Sequence, residues 1–391
     1  MAPTPRALSR AVGLLLAAAC LLPAAPAQGA TSVPKTFFGT VVDGPMLDPD
    51  APIEKELSVM RQTGLGFVRL PIHWAAVQPY PTWDVVPAQE RANFTDIEGT
   101  PTDVRALDRW VKGAARMGIK VLPSVLRSPW WAARNWKDEA SPPKGTAEYG
   151  RLMTGLVKRY GPAGSVWTGG GAKLPIRDWQ IWNEPSITLF WNWGVWAHDY
   201  VALLRAAGTA VKAVDPGARI VLGGLPNDSW NALERVYYEQ GKGLFDVVAL
   251  HPYTQRVNNV LEVVRRARQV MDSRGDGVTP IMITEMGWSS GAGKETNKPT
   301  WETSEAGQAA KLAAVVKALT RRRAELKIEG MFWYTWLSAD DGFDSFTYSG
   351  LRKKTSAGIV SKPALTAMRT TVRELSRGGG KAPAAKKKTK R

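Results

Sequence analysis

A single closed (β/α)8 TIM barrel is the fold this sequence predicts, and three observations predict it. Between about residue 35 and residue 378, eight short apolar, β-branched runs alternate with segments of helical spacing. Gly64, Gly118 and Gly217 stand just before the next strand, where a residue with positive φ can terminate a helix. The competing architecture, a doubly wound open sheet, usually carries a Gly-rich phosphate turn after an early strand, and no such turn is present.

Taken in order, the first strand is expected over residues 36–42. The second, 66–74, contains Phe67-Val68-Arg69-Leu70-Pro71-Ile72-His73-Trp74, which places His73 and Trp74 at its carboxyl end and Arg69 just within it. A third covers 120–126. The fourth, 177–183, runs into Trp182-Asn183-Glu184-Pro185, and the helix after it places apolar residues three and four apart from Val201 to Val211. The fifth strand covers 219–225, and the sixth, 245–252, ends in His251-Pro252-Tyr253. The seventh, 280–287, carries Thr284-Glu285-Met286-Gly287 before Trp288, and Leu312, Val316 and Leu319 give the next helix its apolar stripe. The eighth, 330–336, closes on Trp336. Barrels of this kind draw their functional residues from the carboxyl ends of several strands, so these ends hold the candidates.

The flanks differ from the barrel. Residues 1–30 read as an export segment: Arg6 and Arg10 precede an apolar run from Ala11 to Leu22, and Ala25-Pro26-Ala27 offers a small-x-small cleavage site. That run is too short to span a bilayer, and no later stretch is apolar enough, so a secreted chain without a transmembrane span is expected. The single cysteine, Cys20, lies inside the export segment. The apolar run continues past it and no leucine sits three residues before it, which argues against lipoprotein anchoring. Residues 31–378 form the expected barrel domain. Residues 379–391 form a disordered basic tail; seven positive charges fall between Arg377 and Arg391, in a chain of net charge +17. Its plain reading is a solvated appendage, and its functional one is loose attraction to an anionic cell-surface polymer or lipid head groups. Nucleic-acid binding is not expected, because no recognition motif accompanies the charge.

Chemistry enters through two carboxylates, Glu184 and Glu285, on two strand ends. Cleaving a glycosidic bond needs one carboxyl group to protonate the leaving oxygen and another to attack or stabilise the oxocarbenium-like carbon. An ordinary strand-end glutamate is a solvated residue or a salt-bridge partner, so the pair carries more weight than either member. Without cysteine in the mature chain, and with only three histidines, the ligands for a transition-metal site are lacking, and no cofactor is expected. Tryptophan is abundant, 17 in all. Trp130, Trp131, Trp136, Trp191, Trp193, Trp288, Trp301 and Trp333 lie with Trp74, Trp182 and Trp336 at strand ends or in the following loops, and indole offers a flat apolar face to sugar C–H groups.

The Asn183-Glu184-Pro185 and Thr284-Glu285-Met286-Gly287-Trp288 motifs together resemble the clan A retaining glycoside hydrolases. With His251-Pro252-Tyr253 the likeness is greatest to family 39, with family 5 close behind, and it covers about 340 residues. The resemblance implies Glu184 as general acid/base and Glu285 as nucleophile. It further implies that Asn183 donates to the sugar 2-hydroxyl, that Arg69 and the Tyr253 hydroxyl hold Glu285 ionised, that His251 borders the substrate, and that Trp336 is the platform beneath the sugar. His73 and Trp74 are further substrate-binding candidates. The expected partner is an oligo- or polysaccharide. A non-catalytic carbohydrate-binding or wall-attached barrel is the rival reading, although such a protein has no reason to keep all of these groups together.

Overall fold

The computed structural model describes residues 32–294, 300–342 and 344–377; the expected export segment and basic tail lie outside them. Its main sheet comprises parallel strands β1 (Phe38–Val41), β2 (Phe67–His73), β3 (Lys120–Leu126), β4 (Asp178–Ile181), β5 in two pieces (Arg219–Val221 and Leu225–Pro226), β6 (Val248–His251), β7 (Ile281–Met286) and β8 (Ile328–Trp333). β8 returns to pair with β1, Thr40 facing Trp333. A parallel bridge from Val221 to Val247 joins β5 to the run into β6. The ladder therefore closes into an α/β TIM-type barrel.

Helices α1 (Ile53–Thr63), α2 (Arg105–Met117), α3 (Ala147–Tyr160), α4 (Trp196–Val214), α5 (Ser229–Tyr238), α6 (Val257–Ser273), α7 (Glu305–Arg322) and α8 (Pro363–Ser376) follow the strands in turn. Each buries an apolar stripe, as Leu312, Val315, Val316 and Leu319 do on α7. Gly64 and Gly118 end α1 and α2 with φ of 94° and 62°, the left-handed conformation glycine adopts without penalty. Gly217 works otherwise. α4 stops at Asp215 without a left-handed cap, and a Cβ at Gly217 would collide with the Arg177 guanidinium, which pairs with Asp215 at 3.1 Å.

Strand alternation decides what fills the barrel. Val41, Phe67, Leu122, Val221, Val247, Ala249, Met282 and Phe332 form a separate buried cluster, with the Phe67 and Phe332 ring centroids 5.1 Å apart. Because successive residues point to opposite faces, the inward position one step up each strand lies two residues on. Those positions are Asp43, Arg69, Ser124, His251, Thr284 and Tyr334, so an apolar plug gives way to a polar layer at the carboxyl end. The break in β5 makes room for that layer: a Cβ on Gly224 would overlap the His251 imidazole. Glu285 is out of phase with Thr284. The pairing of β7 with β8 shifts register between Ile283 and Met286, an irregularity of the kind that re-aims a side chain. On β4 the alternation breaks after Ile181, where Trp182 (φ 67°) and Glu184 (φ 42°) take left-handed conformations and Glu184 comes to the cavity wall.

Candidate active site

A cavity of about 440 Å³ opens at the carboxyl end of the barrel, and Arg69, His73, Asn183, Glu184, Tyr253 and Glu285 all line it. Arg69 organises the floor. Its guanidinium donates to Glu285 Oε1 at 2.6 Å, Asn183 Oδ1 at 2.6 Å, Gln180 Oε1 at 2.5 Å and Ser124 Oγ at 3.2 Å. Every one of these partners is buried, and such a planar fork holds several acceptors in fixed directions. The Tyr253 hydroxyl donates to the other Glu285 oxygen at 2.8 Å. Asn183, its carbonyl oxygen held by Arg69, lines the cavity.

Glu184 sits in different surroundings. Burial pushes its carboxyl up to about 8, against a smaller opposing pull from the Arg69 charge. Its Oε1 lies 2.6 Å from His251 Nδ1, and His251 Nε2 lies 2.9 Å from Thr284 Oγ1. Burial drives the His251 pKa down to about 3, so the imidazole is neutral. His251 is wholly buried beneath the two glutamates and does not line the cavity; the expected border with substrate is corrected to a contact with Glu184.

One donor atom each from Glu184, His251 and Glu285 lie within 4.8 Å of one another, close enough for a metal ion. Arg69 and Tyr253 already engage both Glu285 oxygens, and both His251 nitrogens are in hydrogen bonds. A cation there would face the Arg69 guanidinium at close range, so the donor set is ill suited to a metal.

Two expected substrate contacts are overturned. Trp74 follows the end of β2 and begins a short helical turn, Trp74–Val77, that carries its indole into the layer behind the cavity. There it is buried, donates to Gln78 Oε1 at 2.7 Å and meets Trp131 and Tyr149 edge-on. Trp336 lies beyond the end of β8, and its indole donates to Glu56 Oε2 at 2.8 Å, under the buried Arg352–Glu56 ion pair. Tyr334 takes the wall instead, two residues above Phe332, with its hydroxyl donating to Asp43 Oδ2 at 2.9 Å. Strict alternation from Phe332, and from Val41 to Asp43, was the signal that would have found both. Trp301, Asp344 and Phe346 also line the cavity from loops where no periodicity marks them.

Replacing Trp336 by Phe therefore tests packing rather than binding. The variant should lose about 1–3 kcal/mol of stability, because a buried carboxylate loses a donor, with KM unchanged. Urea unfolding beside steady-state kinetics checks this, and a raised KM with unchanged stability would restore the platform role.

A model of the glycosyl hydrolases family 39 matches residues 92–371. A curated β-xylosidase of Caldicellulosiruptor saccharolyticus is 26% identical over 141 residues, which is 34% of this chain and 26% of that protein's length. Among solved structures, a family 39 glycoside hydrolase from Bacteroides cellulosilyticus WH2 superposes with a TM-score of 0.63 at 19% identity, covering 88% of this chain and 64% of that one. A monomeric β-xylosidase from Caulobacter crescentus CB15 gives 0.57 at 19% identity, covering 88% and 69%.

Proposed function

The chain belongs to family 39 of the glycosyl hydrolases, and from that premise we propose that it is an exported retaining glycosidase, cleaving O-glycosidic bonds of an oligo- or polysaccharide by double displacement. The observation that carries the reading is the pairing of unlike carboxyl groups in one cavity. Burial pushes the Glu184 carboxyl up to about 8, while Glu285 is engaged on both oxygens, by the Arg69 guanidinium at 2.6 Å and the Tyr253 hydroxyl at 2.8 Å.

In the first step Glu184 gives its proton to the leaving oxygen as the Glu285 carboxylate attacks the anomeric carbon; the bond to the leaving group breaks as that to Glu285 forms. Water then attacks the same carbon, Glu184 takes its proton, and Glu285 departs, so two inversions give net retention. The approach of the two carboxylates within 4.8 Å supports this route, because inversion needs a gap of about 6.5–9.5 Å to admit water. Neutral His251 donating from Nδ1 to Glu184 Oε1, and accepting at Nε2 from Thr284, leaves the Glu184 proton on the oxygen free for substrate. Asn183 donates to the sugar 2-hydroxyl, Arg69 and Tyr253 hold Glu285, and His73 lies at the rim.

Release of reducing sugar from a panel of polysaccharides, lost in both Glu184→Ala and Glu285→Ala, tests the proposal. Sugar binding without release would leave the non-catalytic reading standing. Export rests on the pattern of residues 1–30, and among the described residues no helix is long and apolar enough to cross a membrane. A mature N-terminus that still includes residues 1–20 would overturn export.

The basic segment is proposed as an appendage attracted to anionic polymers. Removing residues 379–391 should leave hydrolysis of a soluble oligosaccharide unchanged and weaken retention on an anionic polymer, the difference fading at high salt. A large loss on the soluble substrate would place the tail in the site instead.

A further inference from the structure

The segments after β3 and β4 carry aromatic surface that the chemistry above does not use. Trp130 is 58% exposed, Trp136 65% and Trp193 44%, and with Leu189 and Val195 they gather much of the exposed apolar side-chain surface among the described residues. Isolated exposed apolar groups need no explanation, but a cluster beside a cavity does.

Two observations show that these rings are held in place. Asn192 N donates to Ala140 O at 2.9 Å, and Asn192 Nδ2 to Asp138 Oδ2 at 2.7 Å, tying one segment to the other. Arg134, itself paired with Asp199 at 3.2 Å, lies over the Trp193 ring, and Lys137 lies over Trp136. The segment bearing Trp193 is also continuous with the cavity, whose wall includes Leu189 and Phe190. That segment begins at Glu184, the group that protonates the leaving oxygen in the reading above. The departing part of a substrate must therefore lie beside it.

We propose that Trp136 and Trp193 form a binding path for the leaving-group side of a sugar chain several units long, so that the protein selects oligomers and polymers over short glycosides. Indole faces pack against the C–H faces of successive sugars, and the rigid support keeps the entropy cost of ordering them low. The occupant is a carbohydrate rather than a protein because the segment that bears Trp193 also supplies Leu189 and Phe190 to the wall of the cavity that takes the sugar. This proposal rests on the assignment of Glu184 as the acid.

Binding and turnover separate its failure from failure of that assignment. Titration calorimetry of the Glu285→Ala protein with soluble arabinoxylan, glucomannan and mixed-linkage glucan should give measurable binding to at least one. Adding Trp136→Ala and Trp193→Ala should weaken it by about fivefold for each ring removed, with no change in thermal midpoint. On oligosaccharides of two to six units cut from the polymer that binds, the loss in kcat/KM of the tryptophan variants should grow with length and appear in KM. Absence of binding to all three polymers, binding untouched by both substitutions, or a loss independent of length would each overturn the path. Binding that depends on the tryptophans, without hydrolysis by the native enzyme, would leave the path intact and remove the catalytic reading.

Discussion

Glu285→Ala is expected to reduce kcat on the order of 10⁵-fold, and azide is expected to restore turnover only by giving product of inverted configuration. The reason is spatial. With the carboxylate gone, Arg69 and Tyr253 lose the group they jointly hold, and the vacated volume admits a small anion on the face from which Glu285 would attack. One displacement then replaces two, so configuration inverts. The size of the loss follows from removing the proposed covalent nucleophile from a site whose other parts cannot substitute for it. Glu184→Ala should behave differently, sparing substrates with activated leaving groups because these need little protonation as they depart. Product configuration by NMR for the Glu285 variant, and rates across leaving groups for the Glu184 variant, make the comparison. Identical responses to azide would show that the two roles have been assigned wrongly.

The barrel was legible in the sequence because each buried parallel strand is apolar on both faces, and because Gly64 and Gly118 mark helix ends that only a left-handed residue completes. Arg69, Asn183, Glu184, Tyr253 and Glu285 were legible as strand-end polar residues, and the structure brings them around one cavity. Trp336 was misplaced because an aromatic run, Phe332 to Trp336, hides where the strand stops; β8 ends at Trp333, and the chain beyond turns the indole towards Glu56. Trp74 was misplaced because β2 ends one residue before it and a helical turn begins there. Trp301, Asp344 and Phe346 reach the cavity from loops whose course depends on distant partners: Phe346 packs against Tyr253, Trp301 and Tyr334. Such contacts leave no period in the sequence.

The pH dependence of kcat/KM should lose activity on the basic side near pH 8, where Glu184 gives up the proton the first step requires. No limb should appear near the ordinary histidine range, although His251 touches Glu184, because burial keeps that imidazole neutral down to about 3. Burial is the main cause of the raised Glu184 pKa, and the Arg69 charge opposes it. Replacing Glu285 by Gln leaves Arg69 without its counter-charge, so the Glu184 pKa should fall, by about one unit or more. Stability carries the same sign. A carboxyl whose pKa is raised on folding favours the native state while protonated, and that advantage is lost as pH rises through the folded value near 8. Glu184→Gln should therefore stabilise the protein more at pH 9 than at pH 5, the difference being on the order of a few kcal/mol. Infrared titration of the Glu184 carboxyl and unfolding at the two pH values read these outcomes. An unchanged pKa in Glu285→Gln would mean that Arg69 does not couple the two carboxylates, and the proposed division of labour between them would have no basis.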